Sequence, residues 1–364
     1  MQIFSLISAF YFFFFAIIGV YVIYLPKVLD IVGYTSLQIG TIFAISPLTR
    51  FITPFFFLKK WQLTPKIYKF ALFLALIAGI LFFFTIDNFY LFTIPNTLLG
   101  ISFALTLPFV ETIALAHIGK ERYGKSRLFG SIGFIVIALV LAKFMHTPKI
   151  ALWFLFGAIC FTALFGFPLA KEDPTKSKTP IKERFSLLAH WPLWANIFFM
   201  QVSFGPFYNF FTIYEKEHGL NYTTISYLWT FGVIAEIFML YFQGPLLKKN
   251  LLKLLQLCSF ITAGRWLILH FFPTNLPLLY FAQSLHAFSF ALYYTAAISH
   301  LFFLYKNKTL AQQFFGGISF GLGGMVGSLL AGAVYGEHLF MYAAIVALFA
   351  SFMLFFEYKN HSSQ

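Results

Sequence analysis

Charge is what this chain has least of. Of its 364 residues, 12 are Asp or Glu and 25 are Lys or Arg, so charged side chains make up only 10%. Soluble domains carry about 25%, which excludes water as the main solvent of this surface. Cysteine is as scarce. Cys160 and Cys258 stand alone in separate apolar stretches, which excludes a disulfide framework and a thiolate metal site. HExxH, a serine-nucleophile motif and clustered metal ligands are absent, so neither metal nor cofactor is expected. The glycine-rich run GGISFGLGGMVGSLLAG (316–332) follows no strand and lacks dinucleotide spacing. Its Gly317/Gly321 and Gly323/Gly327 pairs suit close helix packing instead.

What is present in excess is apolar surface: 60% hydrophobic residues, 54 of them Phe, and a mean hydropathy of +0.82. Most of the Phe read as lipid-facing. A helix crosses a bilayer with about 20 mainly apolar residues. Twelve such stretches run through the chain, at roughly 4–25, 36–58, 67–86, 90–117, 127–146, 150–170, 192–214, 223–244, 251–272, 277–304, 310–335 and 338–357. The first has no basic leader and no small-residue cleavage site, so it is read as an uncleaved helix.

The net charge of +13 is distributed in a way that argues against nucleic acid. With the N-terminus cytoplasmic, the inner loops hold Lys59, Lys60, Lys66 and Lys69, then Lys120, Arg122, Lys125 and Arg127. The basic run 171–184, Lys248, Lys249, Lys253, Lys306, Lys308 and Lys359 fall on the same side. Only Lys27, Lys143, Lys149 and Lys216 fall outside. That asymmetry places both termini inside the cell.

The run KEDPTKSKTPIKER (171–184) separates two sets of six stretches. At an offset of 186, GYTSLQIGTIFAISPLTR (33–50) aligns with GLNYTTISYLWTFGVIAE (219–236), and RLFGSIGF (127–134) with QFFGGISF (313–320). Two gapless matches at one offset indicate an internal duplication. The expected fold is an all-α membrane protein of twelve helices. It divides into an N-terminal bundle (1–170), a cytoplasmic linker (171–190) and a C-terminal bundle (191–364). This resembles the architecture of the major facilitator superfamily, in which two halves rock around a site near the bilayer midplane.

Against this background LPFVETIALA (107–116) is anomalous, because Glu111 lies in a membrane core. Arg50, Arg127, Glu236 and Arg265 are equally placed, and His286 joins them. Each such charge costs about 2.5–3.5 kcal/mol on insertion scales, so these groups should be paired and face a cavity. Glu111 can meet Arg127, and Glu236 can meet Arg265. Arg50 and Glu236 occupy equivalent repeat positions, where a bond between halves could hold one conformation. Static ion pairs are the competing reading, and a lipid-headgroup contact competes for Arg127. Three helical stripes add hydrogen-bonding and ring groups at i, i+4, i+7-like spacing: Arg127, Ser131 and Phe134; Gln201, Gly205 and Tyr208; Gln283, His286, Phe290 and Tyr293. His117 and His300 fall near cytoplasmic helix ends, where an interfacial role is expected.

The segment PFVETIALAHIGKERYGKSRLFGSIGF (108–134) resembles the lactose permease family. That family has an acidic residue after a proline, then an aromatic-Gly-basic-x-Arg run followed by a bulky residue, Phe and Gly. The resemblance implies that Glu111 and Arg127 hold a solute and Phe134 stacks on it. YGKSRLFGSIGF, SYLWTFGVIAEI (226–237), GRW (264–266) and QSLHAF (283–288) resemble the 3-phenylpropionate permease branch of the superfamily more closely. One departure stands out: where lactose permease carries a carboxylate one turn after its histidine, this chain has Ser289. Proton coupling is therefore expected at Glu236, with Arg265 and His286 beside it, and at Glu111 second.

The expectation is a monomeric proton-driven symporter in a bacterial inner membrane, bathed in membrane lipid. It would take a small organic solute, with an aromatic carboxylate such as 3-phenylpropionate favoured. A sugar or nucleoside fits the Glu111/Arg127/Phe134 set equally well on physical grounds, and drug export fits it less well. An intramembrane enzyme built on His286 or His300, or a receptor, finds little support in the motifs.

Overall fold

The computed structural model describes residues 2–58, 63–145, 147–172 and 186–362. Lys59, Lys60 and residues 173–185, most of the expected linker, lie outside the described residues. Among the described residues the chain is helical, with no strand. The principal helices are α1 (Ile3–Val32), α2 (Ser36–Leu58), α3 (Pro65–Thr85), α4 (Phe89–His117), α5 (Gly119–Phe144) and α6 (Pro148–Leu169). Then come α7 (Trp191–Ser203), α8 (Gly205–Glu217), α9 (Tyr222–Phe242), α10 (Leu251–Phe271), α11 (Leu276–Leu304), α12 (Leu310–Ala333) and α13 (Leu339–Ser362).

Among the described residues, 10 helices are long and apolar enough to cross a membrane: α1, α3 to α6 and α9 to α13. The other two expected stretches behave differently. Stretch 36–58 forms the continuous α2, which carries the polar residues Gln38, Thr41, Ser46, Thr49 and Arg50. Stretch 192–214 is not one helix but two, α7 and α8, meeting at Phe204. Pro206 follows in the first turn of α8, and its missing N–H and fixed ring interrupt the hydrogen-bond ladder there.

Local sequence explains most boundaries. Asn88, Asn221, Asn250, Asn275 and Asn307 each cap a helix, their side-chain oxygens accepting a backbone N–H three residues on at 2.8–3.2 Å. The repeat is visible in the backbone: Gly33 and Gly219, 186 positions apart, both sit in the left-handed region, with φ of 103° and 90°. Three π-helical segments widen the helices at Val20–Tyr24, Ala287–Leu292 and Gly317–Gly323.

Polar residues tie the helices together from within. Asn196 on α7 donates to the Ala350 carbonyl at 2.8 Å and to Ser259 at 3.1 Å, and accepts from the Tyr293 hydroxyl at 2.7 Å. Tyr21 donates to Asn96 at 2.8 Å, and Tyr24 to the Ala138 carbonyl. The Phe residues serve two purposes. Phe84 and Phe303 are exposed as lipid-facing side chains should be, but Phe10, Phe14, Phe82, Phe92, Phe109 and Phe207 fill the interior. On either side of residues 173–185, Glu172 meets His117 at 2.9 Å and His190 meets the buried Glu357 at 2.7 Å.

Helices far apart in sequence pack where the site lies: α2 against α12, α5 against α9, and α1 against α8. Glycine permits the closest approach. A Cβ at Gly205 would lie 2.2 Å from the Gly327 carbonyl oxygen, whereas one at Gly157 would meet nothing within 4 Å. Overpacking of this kind costs about 1–3 kcal/mol. Gly205→Val is therefore expected to lower the thermal midpoint of the purified protein by several degrees and Gly157→Val to leave it near wild type, as read by fluorescence-detected unfolding.

Candidate functional site

The intramembrane charges form two clusters that face each other. The first is built on α4 and α5. Arg127 Nε lies 4.0 Å from Glu111 Oε1, a loose pair with both side chains about one-third exposed, at 33% and 29%. The Tyr123 hydroxyl, one turn before Arg127 on the same face, donates to Glu111 at 3.3 Å. From α1, Phe15 and Tyr11 lie under the guanidinium, whose carbon is 3.9 Å and 5.4 Å from their ring centroids. Arg127 is thus held by rings and one carboxylate while still meeting open space.

The second cluster is dry. Arg265 on α10 is fully buried. Its Nη1 donates to His286 Nδ1 at 2.9 Å and to Ser289 Oγ at 3.1 Å, and its Nη2 donates to Gln283 Oε1 at 2.9 Å. Phe207 and Trp266 cover its faces at 4.4 and 4.6 Å. A guanidinium can only donate, so His286 Nδ1 must accept. The neutral imidazole then carries its proton on Nε2, which points to Glu236 Oε2 at 3.8 Å. Glu236 therefore meets His286, while Arg265 is solvated by neutral acceptors. Ser289, the departure noted in the sequence, is one of them.

Several contacts link the clusters. Phe134 on α5 and Trp229 on α9 approach to 6.2 Å between ring centroids. Arg127 acts electrostatically on Glu236 across the gap, and Tyr294 on α11 lies within the same reach of Glu111 and Arg127. Tyr208 stacks on Phe204 at 5.4 Å and faces Glu236 and Arg265. Gln201 is buried at the end of α7, 3.5 Å from Ser319 Oγ. Ser131 is half-buried beside Arg127 on α5. Arg50 lies 6.0 Å from the Phe103 ring centroid and interacts with Tyr21 within its own half. No ion pair joins it to Glu236 among the described residues.

The ring stripe on α11 differs from the expected register. His286 stacks on Phe290 at 5.2 Å and 6°, and Phe290 on Tyr294 at 6.4 Å and 25°. Tyr293 turns away to bond Asn196. The π-helix at Ala287–Leu292 supplies the reason: one extra residue in the turn shifts the face by one position. Tyr123 and Tyr294 were not singled out by sequence. Tyr123 could have been, since Tyr123, Arg127, Ser131 and Phe134 form one stripe.

A membrane-embedded chain with two facing clusters of opposed charges suits a transporter, and comparison with known proteins decides it. The MFS_1 like family model matches residues 4–345. The chain belongs to that family. It is a multi-pass membrane transporter of the MFS type. It is 25% identical over 263 residues to the "Probable 3-phenylpropionic acid transporter" of Escherichia coli (strain K12), covering 66% of this chain and 68% of that one. It is 26% identical over 282 residues to the "Uncharacterized transporter YwbF" of Bacillus subtilis (strain 168), covering 72% and 69%. In fold it is similar to the nucleoside transporter NupG, with a TM-score of 0.79 at 16% identity over 99% of this chain and 100% of that one. The POT family transporter PepTSo gives a TM-score of 0.78 at 9% identity, covering 100% and 98%.

In this MFS-type site Arg265 depends on each neutral acceptor. Removing one leaves a buried donor unpaired, at about 1–3 kcal/mol. Ser289→Ala should lower the thermal midpoint measurably and Ser289→Thr should restore most of it. Equal midpoints for wild type and Ser289→Ala would show that the Arg265–Ser289 bond carries no stability.

Proposed function

We propose that this chain is a proton-coupled symporter that imports a small aromatic carboxylate of the 3-phenylpropionate kind by alternating access. On this reading it crosses the membrane twelve times, with α7 and α8 forming one broken span. Both termini are cytoplasmic, the two bundles cover residues 1–170 and 191–364, and a monomer is the working unit in a bacterial inner membrane.

The observation that carries the reading is the position of Arg127. It is a partly open cation, loosely paired with Glu111 in its own half and acting electrostatically on Glu236 in the other. Arg265 is fully buried and gives three of its N–H groups to acceptors in its own half, so it is less open to a solute than Arg127, although its Nε–H has no partner. A carboxylate entering the site binds Arg127, whose fork suits bidentate pairing. Its ring lies against Phe134 on one side and the Phe290–Tyr294 column on the other, with Tyr208, Gln201, Gln283 and Ser131 bounding the space.

Coupling follows from competition for one cation. When the solute's carboxylate draws Arg127, Glu236 loses its counter-charge from the other half. It then takes a proton from the entry side, passing within reach of His286 Nε2. The site carries no added charge through the occluded state. Arg50 serves the same interface as a fixed positive charge on α2. The relative from Escherichia coli supports the solute class by its printed name.

The test is uptake of labelled 3-phenylpropionate into sealed vesicles containing purified protein, with the interior made alkaline. Wild type should accumulate label. Arg127→Lys, which keeps charge and loses the fork, should reduce uptake at least tenfold. Glu236→Gln should abolish accumulation but retain exchange of internal for external label. Undiminished accumulation by Glu236→Gln would defeat the coupling scheme, and uptake of a sugar or nucleoside but no aromatic acid would replace the solute.

A further inference from the structure

Away from both charge clusters, α10 and α13 leave a groove of about 850 Å³ between them on the outer surface of the helix assembly. Its walls are exposed apolar side chains: Leu257 and Phe260 from α10, Leu348 and Phe352 from α13. Its floor is Ser351, whose hydroxyl donates to the Gln256 carbonyl at 3.2 Å, so the two backbones approach closely while larger side chains stand up on either side. At one end the groove is lined by Lys253, in the first turn of α10.

The ends of this groove differ chemically. Lys253 follows Lys248 and Lys249 in the turn leading into α10, and all three are exposed. Among the described residues no carboxylate pairs with Lys253. Glu357, near this end of α13, is buried and bonded to His190. The Lys253 backbone N–H is already taken by the Asn250 cap, so the site offers an ammonium rather than a bare helix terminus. From Lys253 to Phe260 the helix rises about 10 Å, and beyond Gln256 its groove side is apolar, with Phe355 facing it from α13. A cationic mouth at the membrane surface, leading to an apolar slot of that depth, fits an amphiphile with an anionic head and a hydrocarbon tail. Juxtamembrane lysines attract anionic headgroups, and a slot between helices distinguishes one held lipid from the surrounding annulus.

We propose that the α10/α13 groove is a binding site for an anionic phospholipid, with the phosphate on Lys253 and an acyl chain along Leu257, Phe260, Leu348 and Phe352. This requires only that the chain spans a bilayer and does not rest on the transport scheme. Full-length protein in mild detergent is titrated with phosphatidylglycerol or with phosphatidylcholine of the same chains, and bound lipid is counted by native mass spectrometry. Wild type should retain phosphatidylglycerol at least fivefold over phosphatidylcholine. Lys253→Glu and the milder Lys253→Gln should each cut that preference at least threefold. Leu348→Trp, which fills the slot, should reduce retention of both lipids. Lys66→Glu, on α3, should change neither. Equal retention of the two lipids by wild type would overturn the site. So would an effect of Lys66→Glu as large as that of Lys253→Glu, or Leu348→Trp binding like wild type, or displacement of the lipid by inorganic phosphate alone.

Discussion

A guanidinium buried in a membrane protein without a carboxylate beside it is the constraint around which the C-terminal site is arranged. Arg265 has no exposed surface, and its charge is solvated by His286, Ser289 and Gln283. Each acceptor has to present a lone pair in a fixed direction. His286 and Ser289 are three residues apart on α11, and the π-helical segment from Ala287 to Leu292 belongs to the same turn. The histidine tautomer follows from the arginine's inability to accept, and the tautomer sends a proton toward Glu236. Helix geometry, side-chain choice and the facing carboxylate are thus linked through one ion.

The N-terminal cluster is organised on the opposite principle. Arg127 is sandwiched against Phe15 and Tyr11, and its pair with Glu111 is at the limit of contact. Cation–π contact holds such a group with less directional demand than a bidentate carboxylate does. A binding cation in a transporter needs this slack. One locked into a tight ion pair would have to break it for every solute, while one left bare would not be tolerated in the membrane. In the proposed scheme the two arginines divide the tasks of structure and recognition according to how many acceptors surround each.

Much of this was readable in advance because it rests on local chemistry. Asn before five of the helices announces a cap, and Gly33 and Gly219 announce the repeat through a conformation that favours glycine. Glu111 and Arg127 were visible as charges in apolar stretches, and the structure brings them within 4.0 Å. What was hidden depends on helix phase. The stripe counted at α-helical spacing ends on Tyr293, whereas the π turn moves the face to Tyr294. The break at Phe204 was also missed, although Gly205-Pro206 signals it, because hydropathy averages over such dipeptides. The pairing of Glu236 with His286 rather than Arg265 depends on side-chain reach, which spacing does not encode.

The two glutamates differ in where their counter-charge comes from, and this bears on which of them carries the proton in the proposed cycle. Glu111 has its hydrogen-bond donor Tyr123 and its counter-charge Arg127 within its own half, so its charged partner travels with it. Glu236 has a neutral histidine in its own half and takes its positive neighbour, Arg127, from the other. If the halves separate on one face, the field at Glu111 is nearly unchanged while Glu236 loses its cation. A proton-coupled step requires a group whose preference for a proton changes between conformations, because a ligand that favours both states equally shifts neither. Within the proposed cycle that criterion assigns the proton to the carboxylate on α9 and leaves the one on α4 to the proposed solute site. Ser289 is consistent with the division: with no carboxylate one turn beyond His286, the charge that has to be switched is the one facing the interface.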